Sequence, residues 1–434
     1  MSETQTSLEK VSRNVKILFI FFVVGTGIVY FFSNPNPQFY YDYTFRVAAN
    51  FFDGRIGFTE KPPPWLNEFV LFENYYYSVF PFGSVLTMLP FAVLKIAGLV
   101  TEMPAALISA ITTSGIAGFL FLISAHYQYT WRKRMLISAA ILFGSWMWTN
   151  LAMAGAWHLA LGFAMLGELG AIYFTIYNRN PLLAGMFFAL AFGNRTEILL
   201  TAPIFMFLLF REDFQREDVE ETQGKNSKSK TEDQRPKTEF LIANRKSQIA
   251  NLAAFCAVPF LLGIATLVYN YARFHSFTDF GYARIPGVLD EPWYRYGIFS
   301  FWYIPLNIQE MLVTPWKRVA NFPFIVPTGF GGSIWWSSPF ILLTLRFGAR
   351  NKILKYTAWA AMAILTLVLW THGNPGGWQF GYRYAMVLLP WMFLILLENS
   401  PEEMTLLEWF AYITSFVINA YATYLFYWTD YVKP

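Results

Sequence analysis

Apolar residues in this chain collect into runs long enough to cross a bilayer, and charge is confined to the breaks between them. A transmembrane helix needs about 20 predominantly apolar residues. Such runs lie near 15–33, 105–125, 136–152, 159–177, 182–194, 198–210, 249–271, 334–347, 356–371, 383–397 and 408–427. They predict an all-α polytopic membrane protein with about eleven transmembrane helices, in a range of about 10–13. Residues 1–434 then form a single transmembrane domain. Charged residues make up 14% of the chain, where a soluble domain carries about a quarter. The net charge of +4 is too diffuse to favour nucleic acid, and the single cysteine, Cys256, rules out an intrachain disulfide framework.

Short basic loops orient the spans. Lys10, Arg13 and Lys16 precede the run Ile17 to Phe32, and Ser33-Asn34-Pro35-Asn36-Pro37 offers no small-x-small cleavage site. This reads as a retained signal anchor with a cytoplasmic N-terminus in the plasma (inner) membrane. Phe82 to Val100 is apolar but carries Pro90 and Lys95. If it spanned, Arg132-Lys133-Arg134 would fall outside, so it is expected to lie along the outer surface. Arg179, Arg346, Arg350, Lys352, Lys355 and the stretch 211–248 then fall inside. That stretch mixes charges of both signs with few apolar groups and is expected to be a flexible cytoplasmic loop. The first outer loop, 34–104, and a second, 272–333, are rich in Trp, Tyr, Phe, Pro and Gly instead. Long aromatic loops of that kind are usually ordered and functional.

The candidate site residues belong to this outer side. Asp42 sits among Tyr40, Tyr41 and Tyr43, and an acid at the mouth of a membrane helix suggests function. Its ordinary alternative is an ion pair with Arg46, one helical turn on. Glu60 precedes Lys61-Pro62-Pro63-Pro64, whose fixed extended path could project it toward a metal or a substrate. Asn74, Tyr76 and Tyr77 lie in the stretch Glu73 to Gly83, which mixes rings and amides suited to a sugar. His158 follows Trp157 at the outer end of a span, and no second histidine stands at zinc-ligand spacing. Arg195 occupies the polar break Gly193-Asn194-Arg195-Thr196-Glu197, where it can fork onto phosphate or pair with Glu197. Arg383 opens a span after the glycine-rich stretch that also holds Trp378 and Tyr382. An acid facing several cations in an aromatic hollow is the expected arrangement. No Ser/His/Asp or Cys/His nucleophile set stands out.

Four stretches carry a resemblance to a known family. They are Tyr41-Asp42-Tyr43 with Ala48 to Gly54; Tyr76 to Gly83; Tyr269-Asn270-Tyr271-Ala272-Arg273-Phe274 with Phe280-Gly281-Tyr282; and Gly376 to Tyr384. Together they resemble integral-membrane glycosyltransferases of the GT-C class, in the bacterial branch related to protein O-mannosyltransferases and lipid A aminoarabinose transferases. The resemblance implies a GT-C-like fold, a polyprenyl-phosphate-linked sugar as donor and an active site on the outer face. It also implies Asp42 as catalytic base, with His158 at the family's second polar position. Tyr43 stands where many relatives carry a second acid. Glu60-Lys61-Pro62 resembles a metal-binding acidic motif of the aminoarabinose enzymes but lies closer to Asp42, so a divalent metal is the one cofactor to consider. Arg195, Arg383 and His158 are the expected donor-phosphate ligands; Tyr41, Asn74, Tyr76, Tyr77, Glu60, Trp378 and Tyr382 are the expected substrate contacts. The partners are then membrane lipids and an acceptor hydroxyl on a lipid, glycan or protein. A lipid-linked-sugar transporter and a non-catalytic membrane subunit are the competing classes.

Overall fold

A computed structural model describes residues 3–211 and 237–432. The described chain is mostly helical. In order it forms α1 (Glu3–Ser33), α2 (Tyr43–Phe51), the strands β1 (Phe69–Phe72) and β2 (Tyr75–Ser78), α3 (Phe82–Ile96), α4 (Ala105–Ser124), α5 (Trp131–Phe143) and α6 (Met147–Met153). There follow α7 (Ala156–Ile172), α8 (Pro181–Asn194), α9 (Ala202–Phe210), α10 (Lys237–Phe274), α11 (Lys352–Thr371), α12 (Leu389–Asn399) and α13 (Leu406–Tyr427). Short helices, turns and two-residue strands fill the 275–351 region.

Five helices among the described residues are long and apolar enough to cross a membrane: Val15–Ser33, Ala105–Ser124, Ala156–Tyr177, Gln248–Phe274 and Lys352–Thr371. The pair α5 and α6 makes up to six, bent by 53° at its break. Gly144 and Ser145 lie at that break, and Gly/Ser pairs are a usual site of sharp kinks. Of the remaining apolar runs, 408–427 lies in the unbroken 22-residue α13; the others are shorter or interrupted, and proline is the common cause. A prolyl ring lacks the N–H and pushes the preceding residue away from the α region. The expected span 334–347 is therefore a short helix, Ile334–Ser337, followed after Ser338 by a 3-10 stretch, Pro339–Leu345. The runs 198–210 and 383–397 likewise open as 3-10 turns, Thr196–Thr201 and Arg383–Leu388, before Pro203 and Pro390 enter α9 and α12.

Two expectations for the loops change. Most of the expected flexible loop 211–248 falls on residues 212–236, outside the described residues, while 237–248 belongs to α10. The segment expected as the first outer loop holds the short helices α2 and α3 and also an antiparallel hairpin in which Phe69 faces Ser78 and Phe72 faces Tyr75.

Helix ends sort into two groups. At one, basic residues gather: Arg179 donates to the Leu209 and Arg211 carbonyls at 2.6 Å. Tyr177 Oη meets Tyr127 Oη at 3.0 Å, and Tyr127 donates to Glu398 at 2.7 Å. Lys133 and Arg346 both reach Glu408, at 3.5 and 2.9 Å. The opposite end carries the longer loops. There the Gln38 amide meets the Met153 carbonyl at 2.8 Å, Ser300 meets Thr371 at 2.8 Å, and Trp428 Nε1 donates to Ser33 O at 2.9 Å.

Helix α3 lies wholly at this loop-rich end. A Cβ on Gly83 would fall on the Gly193 backbone, so only glycine lets the start of α3 touch the end of α8. Asn194 Nδ2 fixes the contact by donating to Thr87 Oγ1 at 2.9 Å. The buried Arg273 closes the end of α10 in the same way. It donates to the Ser78 carbonyl and to Asn270 Oδ1, and lies 4.0 Å from the Tyr269 ring centre.

Candidate active site at the loop-rich end

Asp42 sits at the N-cap position of α2, its carbonyl accepting from the Arg46 amide at 2.8 Å but its side chain bonding no helix amide. Its carboxylate instead takes Arg46 Nε on Oδ1 and Nη2 on Oδ2, each at 3.1 Å. The ion pair with Arg46 named as the alternative is thus formed. Burial raises the Asp42 carboxyl above its ordinary range, and Arg46, then Lys95, work against that rise. The cations that act on Asp42 are these two and not the arginines expected across a hollow.

Tyr41 and Tyr43 flank Asp42 and both lie on the Trp157 ring, with centroids 4.8 and 5.3 Å apart. Trp157 is near the start of α7, whose first amide bonds the Tyr41 carbonyl at 3.1 Å. Its indole N–H is shared by both oxygens of Glu68, at 2.9 and 3.0 Å. Glu68 lies just before β1. Burial pushes its carboxyl up to about 7, opposed by the Trp157 N–H and then by Arg383.

Arg383 is buried at the head of its 3-10 turn. It donates weakly to the Trp378 carbonyl at 3.4 Å and to Tyr384 Oη at 3.3 Å, and its Nε has no partner. It acts electrostatically on Glu68 and on His158, and neither ring nitrogen of the buried His158 makes a hydrogen bond of good geometry. Arg195 pairs with Glu197 through Nε at 2.8 Å and Nη2 at 2.7 Å. Both guanidiniums lie against one ring: Arg195 is 4.8 Å and Arg383 5.1 Å from the Tyr384 centre. Tyr282 and Tyr294, bonded through their hydroxyls at 2.6 Å, come in from the long loop, and Tyr282 feels both Tyr384 and Glu68.

The structure therefore brings Arg195, Arg383 and His158 into one region, with Tyr41 beside it through Trp157 and Trp378 through its carbonyl. Other expected contacts stand apart. Tyr382 is fully buried and bonds Asn307 Oδ1 at 3.0 Å, which makes it core. Asn74 and Glu60 are exposed, the first at the hairpin turn. Tyr76 bridges Phe58 through its backbone, and Tyr77 packs on Phe274 at 5.8 Å in a small cluster with Tyr294.

Glu68 escaped the sequence reading, as did the parts played by Trp157 and Tyr384. The only local signal for Glu68 was an acid between a proline-stiffened segment and an apolar strand, and Glu60 had drawn the attention instead. No group of three or more His, Cys, Asp or Glu among the described residues is placed to hold a metal ion. Comparison with family models, with curated proteins and with solved structures gave no match.

Proposed function

We propose that this chain is a glycosyltransferase of the membrane, moving a sugar from a polyprenyl-phosphate donor to an acceptor hydroxyl. One observation carries the reading: two arginines share the Tyr384 ring, with His158, the buried Asp42 and the half-buried Glu68 in the same end of the fold. A lipid phosphate is a good leaving group and needs cations rather than a general acid, and preorganised cations stabilise charge where it develops. Arg195 and Arg383 fill that role, with the His158 ring beside them as a neutral polar group. Asp42, ionised, accepts the hydroxyl proton as the acceptor attacks the anomeric carbon. The bond from that carbon to phosphate oxygen breaks, and prenyl phosphate leaves. A single carboxylate acting on the incoming hydroxyl gives inversion, by analogy with inverting glycosidases.

The membrane placement follows the same reading. The chain alternates between its two ends about eleven times, with proline-broken and short apolar segments serving as spans beside the long helices. The basic end, with Lys133, Arg179 and Arg346, faces the cytoplasm, and the loop-rich end faces outward. The donor's tail then lies between helices in the bilayer and delivers the phosphate to the arginines.

Glu168 favours a second reading, a lipid-linked-sugar transporter. This carboxyl is fully buried within α7, bonded by Trp391 Nε1 at 3.0 Å, and acids inside spans often mark transport paths. Mass spectrometry of lipid co-purified with the protein, joined to a sugar-transfer assay in proteoliposomes, separates the two. A bound polyprenyl-phosphate sugar with acceptor-dependent loss of that sugar supports the transferase. Translocation without cleavage would overturn it.

A further inference from the structure

The cations of the basic end are not all taken up by Glu408. Between the 3-10 stretch Pro339–Leu345 and α11 the chain turns back on itself. Gly348 makes that turn at φ 85°, a left-handed value that glycine adopts without strain. Lys355 holds the turn closed by donating to the Arg346 and Gly348 carbonyls, each at 2.8 Å. Arg346 fixes it from the other side, through Glu408 at 2.9 Å and Thr405 at 3.2 Å. Together the turn and the start of α11 enclose a cavity of about 330 Å³. Arg346, Lys352 and Lys355 line it with Phe347, Tyr356 and Trp359, and no acid lines it. Lys352 is exposed and makes no hydrogen bond or ion pair with another described residue. Lys355 uses two of its ammonium donors on the carbonyls and keeps the third.

We propose that this cavity binds the phosphate headgroup of an anionic membrane lipid, in the leaflet at the basic end. This rests on the membrane placement given above and is independent of sugar transfer. Level, charge and apolar surface agree. The helix α11 is long and apolar enough to cross a membrane, and its first residue, Lys352, marks where the chain enters the bilayer. From Lys352 to Trp359 the helix rises about 10 Å, while each headgroup layer is about 5–8 Å deep. The cavity therefore runs from the headgroups to the edge of the hydrocarbon. Lys352 and Lys355 stand at the level of a lipid phosphate, and Trp359 stands where the acyl chains begin, a boundary that aromatic rings favour. Phe347 is fully exposed, and Leu345 and Tyr356 are 58% and 67% exposed. A soluble anion would leave this apolar rim in water, whereas a lipid covers it. The bias of basic residues toward one side of a membrane accounts for the charge but requires no cavity. Basic pockets beside spans are where anionic headgroups bind.

The test uses the full chain in dodecyl maltoside with dioctanoyl lipids as probes. Native mass spectrometry reads the lipid retained, and a thermal melt reads the unfolding midpoint. Dioctanoyl phosphatidylglycerol should be retained and should raise the midpoint by mass action. Dioctanoyl phosphatidylcholine, whose headgroup has no net charge, should do neither. Lys352→Gln should weaken phosphatidylglycerol retention about fivefold, the contribution of one lysine near an anionic lipid surface. Its lipid-free midpoint should match wild type, because Lys352 bonds no other described residue. Lys317→Gln removes an exposed charge from a two-residue strand in the long loop and should leave retention unchanged. Equal retention of the two lipids overturns the proposal, as does unchanged retention in Lys352→Gln or equal weakening by both variants. Inorganic phosphate that raises the midpoint as far as the lipid does also overturns it, since the site would then serve a soluble anion.

Discussion

At the basic end of the bundle, Glu408 is met by Lys133 at 3.5 Å, Arg346 at 2.9 Å, the Thr405 amide at 2.9 Å and the Ser400 hydroxyl. At the loop-rich end, Glu68 is met by one indole, His158 by no well-formed hydrogen bond, and Arg383 by contacts of 3.3 Å and more. Lys133 spends its remaining donors on the Pro401 and Glu403 carbonyls. The Glu408 group saturates its charge, and the Glu68, His158 and Arg383 group does not. A buried ion left short of partners costs several kcal/mol, so the fold has reason to saturate charge wherever no ligand is expected. The Glu408 group ties α5, α13 and the 346–351 segment together as a clasp, while on the function proposed above the open bonds of Arg383 belong to a receptor.

Substitutions can break or sharpen this contrast. The largest effect is expected at the receptor end. Asp42→Asn should lower sugar transfer by about 10²–10⁴-fold, the usual worth of a positioned base, with lipid binding unchanged. Full transfer in that variant would take Asp42 out of the reaction. Next comes Glu408→Gln, which strands Lys133 and Arg346 without their shared carboxylate. Removing one partner of a buried pair costs about 3–5 kcal/mol, read as a lower unfolding midpoint in detergent with transfer per folded molecule intact. An unchanged midpoint would mean that the saturated end is no clasp.

Arg383→Ala should weaken apparent donor affinity about tenfold to a hundredfold, the loss of charge-assisted hydrogen bonds, and should leave the unfolding midpoint close to wild type. Unchanged donor affinity would count against phosphate contact. Arg46→Ala acts through pH. Arg46 holds the Asp42 carboxyl below where burial alone would put it, so its removal raises that carboxyl further. The base works ionised, and the acid limb of the pH–rate profile should move to higher pH. An unmoved limb would mean that another group sets it. The smallest effect belongs to the exposed pair Asp53–Arg55 at 2.8 Å. Asp53→Ala should change stability by about 0–1 kcal/mol, and a larger loss in a urea melt would show that exposed and buried charge are less different here than argued.

How far the sequence reaches depends on how local each interaction is. The Asp42–Arg46 pair spans one helical turn, and the Arg195–Glu197 pair spans two residues. Both could be named from spacing alone. The placement of α3 at the loop-rich end was legible too, because Lys95 and the charge of the next loop argued against its crossing. Less was legible where proline broke a run: hydropathy saw apolar length across Ser338-Pro339, but the backbone cannot carry an α-helix through it. The hairpin was hidden because Tyr75 to Ser78 read as part of the aromatic stretch Glu73 to Gly83, and only pairing with Phe69 to Phe72 makes it a strand.

The string of residues by itself determined that the chain is a bundle of apolar helices with aromatic loops and cations held at the helix ends. That follows from the free energy of burying each residue, which needs no knowledge of its partners. Tertiary structure alone decided that Glu68 meets the Trp157 indole, 89 residues further along the chain, and that Tyr382 is core. Which charges meet, and which are left with open bonds, is fixed by the contacts between helices distant in sequence.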